Sequence, residues 1–166
     1  MPEEQDPFKN PPPRRTGVHA LITRGPHLLM VSRPYAVAVS QWGLPGGSAA
    51  ANELPWRALS RHLDERLGLR ASAGRILALD HVPEQPGHHR EGTNYVYEVF
   101  LPDDAEPAVT ETGGFSEVRW VERAEVSNYA VDHSLRRIQQ CIKAAETGQV
   151  VELLLGLPRG SNDQTA

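Results

Sequence analysis

Apolar residues recur along this chain in two periods, and the switches between them mark its elements. Residues 16–24 and 28–33 are short apolar runs flanking Gly25-Pro26-His27, which predicts a β-hairpin. Residues 34–41 break the pattern as a loop and lead into a strand end at Trp42-Gly43-Leu44-Pro45-Gly46-Gly47. After a small-residue stretch the period lengthens. Trp56, Leu59, Leu63 and Leu67 recur at steps of three and four, the apolar stripe of a helix. Pro55 suits its first turn, where a missing N–H costs nothing, and Gly68 ends it. Residues 75–82, 93–101 and 117–121 predict strands, rich as they are in β-branched and aromatic side chains. Val131, Leu135, Ile138, Ile142 and Ala145 mark a second amphipathic helix. The apolar run 150–155 predicts an added strand, an edge cover or a contact in a homodimer.

This pattern leaves one domain, residues 16–146, between a proline-rich flexible tail over 1–15 and a C-terminal extension over 147–166. Pro11-Pro12-Pro13 should be stiff and extended. The 166 residues suffice for a single core. A formal net charge of −4 argues against a general nucleic-acid binder. No apolar run is long enough for a membrane span, and the acidic N-terminus lacks the apolar segment of a signal peptide. The lone cysteine, Cys141, lies near the second helix's apolar stripe, reads as core, and fits a reducing compartment. A cytoplasmic protein is expected. His88, His89 and Glu91 share a polar loop, but adjacent histidines alone define no coordination sphere.

Chemistry concentrates on one helix face. Ala58, His62, Glu65, Arg66 and Leu69 follow at helical steps, with Glu53 at the entrance and Arg61 eight residues on. The stretch over 47–69 reads Gly47-x5-Glu53-x7-Arg61-His62-Leu63-x-Glu65-Arg66-x-Gly68-Leu69. It resembles the box of the Nudix (MutT-like) family, G-x5-E-x7-R-E-U-x-E-E-x-G-U, with U aliphatic. Glu117-x-Arg119-Trp120-Val121 resembles that family's late strand. The match fails at two positions, where His62 and Arg66 replace glutamates.

The resemblance implies an α+β fold, an α/β/α sandwich with a mixed central β-sheet and two main helices. It also implies a hydrolase acting on a nucleoside diphosphate linked to another moiety, or a related diphosphate, with Mg²⁺ or Mn²⁺. Catalytic candidates are then Glu65, His62, Arg61 and Glu53, with Glu53 pairing with Arg61 across the loop. Gly46, Gly47, Arg66, Arg33 and Tyr35 are candidates for substrate contact. Glu65 would be a metal ligand, with Glu111 or Glu117 from the later segment as further ligands.

Magnesium wants hard oxygen ligands, and Arg66 puts a fixed cation among them. At an assumed separation of about 6 Å and dielectric of about 20, that repulsion is roughly 5 kcal/mol before screening. Metal binding is therefore expected to be weak and hydrolysis weak or atypical. The alternative is a catalytically inactive member of the fold that binds a phosphorylated ligand or nucleotide through His62 and Arg66.

Overall fold

The computed structural model describes residues 8–34, 42–130 and 132–161. The strands are β1 (Arg15–Arg24), β2 (His27–Ser32), β3 (Trp42–Gly43), β4 (Gly46–Ser48), β5 (Ile76–Val82), β6 (Gly92–Val99), β7 (Glu117–Glu122), β8 (Val151–Leu154) and β9 (Leu157–Pro158). The helices are α1 (Pro55–Leu67) and α2 (Asp132–Thr147), the latter preceded by a 3-10 turn over Arg123–Asn128. Of the sequence expectations, Tyr35 and Val131 lie outside the described residues.

The long strand β1 organises the sheet. It runs parallel to β6 from Arg15↔Gly92 to Ile22↔Val99, and antiparallel to β4 along Gly17–His19. It then turns at Gly25-Pro26 into β2, as the hairpin signal predicts. Beyond β6 come β5, antiparallel, then β8, parallel, then β9. β2 also carries β3 and β7. Alternation along β1 sends Val18, Ala20 and Ile22 to a core shared with α1, whereas Leu21 joins the core beneath α2. Each face of the mixed sheet thus carries one helix, the α/β/α arrangement expected.

On α1 the buried stripe is Ala58, Leu59, His62, Leu63 and Leu67. Burial of each leucine contributes roughly 1.5–3 kcal/mol over leaving it exposed. Trp56, expected in that stripe, is instead 49% exposed. It lies in the first turn, ahead of the contact that Leu59, Leu63 and Leu67 make with the sheet. Gly68 stops the helix in the left-handed region, φ 65°. Its N–H reaches the Asp64 carbonyl and that of Leu69 reaches Leu63, closing two free carbonyls.

The apolar run near the C-terminus is used inside the molecule. β8 pairs with β5 and buries Leu153, while the Gly156 N–H donates to the buried carboxylate of Asp80. Cys141 is fully buried among the residues under α2, and desolvation pushes its thiol up to about 12. It is a core residue, as its position on the stripe suggests.

Candidate active site

The short strand β4 leads the glycine loop across the buried face of α1. Gly47 must be glycine there, because a Cβ would stand 2.4 Å from His62 Nε2. His62 lies beneath it, 4% exposed, with Nε2 2.8 Å from the Ser48 carbonyl. That contact makes Nε2 the donor and leaves Nδ1 buried without a partner. Desolvation holds the imidazole below its ordinary pKa, so the ring is neutral at physiological pH. Neither nitrogen faces solvent, and the ring supports the loop.

The loop's far end is tied by Glu53 and Arg61. Arg61 donates Nε and Nη2 to the two carboxylate oxygens at 2.7 and 2.8 Å, and Glu53 also accepts the Ala50 N–H. The Arg61 guanidinium and that N–H hold the Glu53 carboxyl down to about 2. Arg61 further reaches Glu65 at 3.3 Å and the Ser48 carbonyl at 3.5 Å. Glu65 is thereby drawn toward Arg61, with half of its side chain exposed.

The remaining chemistry surrounds Phe115. The Arg66 guanidinium lies 5.2 Å from its ring centroid and donates Nη1 to the Gly46 carbonyl at 3.4 Å. The backbone of Gly114 packs so closely on this guanidinium that a Cβ there would approach it to 2.8 Å. Arg33 flanks the same ring at 5.6 Å and donates Nη2 to the Leu44 carbonyl at 3.0 Å. Two cations and two loop carbonyls therefore line one edge of the glycine loop. Phe115 carried no signal in the sequence, since an isolated phenylalanine after Gly113-Gly114 reads as loop.

The segment before Phe115 crosses the last turn of α1. The Thr110 and Thr112 hydroxyls both donate to the Glu65 carbonyl, and the Thr110 N–H donates to the Arg66 carbonyl. Glu111 rides exposed on this crossing. Glu117 is paired in register with Ser32, on the face that α2 covers, and its carboxylate accepts from Arg119 at 2.9 Å. Glu65, Glu111 and Glu117 do not form a metal set: among the described residues no three His, Cys, Asp or Glu side chains group to hold an ion. Glu91 of the histidine-bearing loop accepts from Arg14 instead.

Mg²⁺ or Mn²⁺ does not fit this edge of α1. Among the described residues hard oxygen donors are too few, Arg61 pairs with both Glu53 and Glu65, and the Gly46 carbonyl already faces a guanidinium. The arrangement suits the opposite charge. Guanidinium forks can receive phosphate oxygens in two-pronged contacts.

Comparison with known proteins agrees with this geometry at the level of fold and family. A MutT Nudix hydrolase from Burkholderia pseudomallei is 27% identical, with a TM-score of 0.55 over 67% of this chain and 84% of its own. A UDP-X diphosphatase superposes with a TM-score of 0.68 at 17% identity, over 89% of this chain and 70% of its own. An ADP-ribose pyrophosphatase from Streptococcus suis gives 0.61 at 14% identity, over 86% and 99%. No curated protein matches the chain significantly in sequence. The NUDIX domain profile matches residues 13–140, most of the chain, and with the box on α1 and a helix on each sheet face the chain belongs to the Nudix family.

Proposed function

We propose that this chain binds the diphosphate of a small molecule at the Phe115 edge of the glycine loop, with Arg66 as its fixed cation, and that any hydrolysis there is weak or atypical. The single observation that carries this reading is the Arg66 guanidinium held between the Gly46 carbonyl and the Phe115 ring. A nucleoside diphosphate linked to another group is the expected ligand class, in keeping with the names of the UDP-X and ADP-ribose neighbours. Arg33 would share the diphosphate, and Glu53, Arg61 and His62 would hold the loop in shape beneath it.

A second reading, binding without any hydrolysis, draws on the engagement of both Glu53 and Glu65 by Arg61. That contact ties both box carboxylates to one guanidinium. Calorimetry with ADP in chelator, alongside product release from UDP-linked and ADP-ribose diphosphates with Mg²⁺ or Mn²⁺, separates the possibilities. ADP should bind without metal, and Arg66→Glu should weaken it by at least about tenfold, the worth of one charge-assisted contact. Slow release favours the first reading and none favours the second. ADP binding that requires metal, with rapid turnover, would defeat both.

A further inference from the structure

Three polar side chains from neighbouring strands meet on the sheet face opposite α2. Side chains alternate along β5, so Asp80 turns to Arg137 of α2 and His81 turns to the other face. Thr93 of β6 stands directly across from His81 in the antiparallel ladder. Glu152 of β8 stands across from Leu79, two residues before His81 and therefore on the same face. The diphosphate contacts described above use none of these groups.

The three side chains form one line of hydrogen bonds. His81 Nε2 lies 3.2 Å from Glu152 Oε1, and its Nδ1 lies 3.2 Å from Thr93 Oγ1. An ionised carboxylate can only accept, so the neutral ring carries its proton on Nε2. Nδ1 is then an acceptor, and the Thr93 hydroxyl donates to it. The second carboxylate oxygen of Glu152 faces Arg159 Nη1 at 3.5 Å, which restrains the carboxylate. A hydroxyl resting on a base, with the base oriented by a carboxylate, is the arrangement that activates an oxygen nucleophile.

A cavity of about 210 Å³ opens on the Thr93 side of the ring, walled by His81, Thr93, Val82, Pro83, Arg14 and Glu91. It is smaller than the clefts of roughly 300–1,000 Å³ that hold drug-sized ligands, so it suits a short acyl group. Glu152 lies on the other side of the imidazole, in a second hollow shared with Arg159. Arg14 donates Nε to Glu91 at 3.0 Å, and its side chain is 69% exposed. Its terminal Nη groups have no hydrogen-bond partner among the described residues. They are donors for an oxygen that gains negative charge in the cavity.

We propose that Thr93, His81 and Glu152 form a second reactive site, at which Thr93 takes the acyl group of a short carboxylic ester. Thr93 Oγ attacks the ester carbonyl carbon while its proton passes to His81 Nδ1. Glu152 supports the resulting imidazolium, and Arg14 faces the carbonyl oxygen as it becomes negative. The ester C–O bond then breaks, and the leaving oxygen takes the proton from His81. An alcohol departs and an acyl ester of Thr93 remains. Water next attacks that ester, giving a proton to the same nitrogen, and Thr93 Oγ leaves with that proton as the carboxylic acid departs. Ester and water are the only reactants. None of these residues belongs to the diphosphate site, so either site can stand without the other.

The full chain is incubated with p-nitrophenyl acetate, nitrophenol release is followed, and the acetylated residues are mapped by peptide mass spectrometry. The wild type should release nitrophenol faster than the urea-unfolded chain and carry an acetyl group on Thr93. Thr93→Val should lose both the excess release and that acetyl group. His81→Gln should slow the excess release by about 10²-fold or more, the usual worth of a positioned base. Glu152→Gln should lower kcat and leave KM unchanged, since Glu152 orients the base and does not line the cavity. His88→Gln, at an exposed histidine of the neighbouring loop, should change nothing. Release that survives Thr93→Val, acetylation confined to lysines, or a wild type no faster than the unfolded chain would overturn the site. Circular dichroism checks that each variant folds. Should Thr93→Val not fold, Thr93→Ser keeps the hydroxyl and should still be acetylated at position 93, and a failure there would equally overturn the site.

Discussion

His62 stands where the family box has a glutamate, and its ring has become part of the glycine loop's support. With Nε2 donating to Ser48 and Nδ1 orphaned, a proton added to Nδ1 would be buried without a partner. His19 is also held well below the usual histidine range, by desolvation and by the nearby charges of Arg137, Arg33 and Arg15. Both rings therefore stay neutral when folded and titrate near 6.5 when unfolded. As pH falls below that value the unfolded chain takes up protons that the folded chain refuses, so stability present above it is lost. Urea midpoints should decline between about pH 7.5 and pH 5, before most carboxylates protonate. A midpoint that stays level or rises over this range would contradict both rings staying neutral in the folded chain.

At the scale of elements, the loop from β4 and the helix α1 act as one unit because Glu53 and Arg61 clamp them with two parallel hydrogen bonds. The clamp holds the far end of the loop whose Leu44 and Gly46 carbonyls meet Arg33 and Arg66. Removing either partner loses the same contact, so the two losses should not add. A double-mutant cycle with Glu53→Gln and Arg61→Gln should show each single change lowering the thermal midpoint and weakening ADP binding. The double change should then do little further harm. Additive losses would mean that the two residues act separately. The clamp was legible from the resemblance of the Glu-x7-Arg box to the family's, in which these two residues pair. The approach of the segment 108–115 to the end of α1 was not. It depends on a loop some forty residues away in sequence, held by Thr110 and Thr112 on the Glu65 carbonyl.

For the molecule as a whole, Asp80 is the point where three parts of the chain meet. It projects from β5, accepts from Arg137 on α2, and accepts the Gly156 N–H from the turn between β8 and β9. Leaving Arg137 buried with no counter-charge makes Asp80→Ala expensive, about 3–5 kcal/mol, against a typical total of about 5–15 kcal/mol. Chemical denaturation should show that loss as a lower midpoint. Replacing Asp80 and Arg137 together by apolar residues of similar volume should cost less than Asp80→Ala. A loss below about 1 kcal/mol for Asp80→Ala would mean that water reaches the pair.

The sequence by itself determined what local physics decides. Periodicity marked both helices and most strands, Gly25-Pro26 the hairpin, Gly68 the helix end, and helical spacing the shared face of His62, Glu65 and Arg66, while the family resemblance implied the pairing of Glu53 with Arg61. It also identified His62 and Arg66 as the departures that change the chemistry. Only the tertiary structure decided which way those side chains turn: His62 inward under Gly47, Arg66 onto the Gly46 carbonyl and Phe115, Glu65 toward Arg61. It also brought Thr93, His81 and Glu152 together from β6, β5 and β8. These polar residues interrupt apolar strands, a trace the sequence does contain, but strand alternation reports which face a residue shares and not which strands become neighbours. That pairing is set by parallel crossovers and long-range packing, where contacts far apart in sequence decide which polar groups meet.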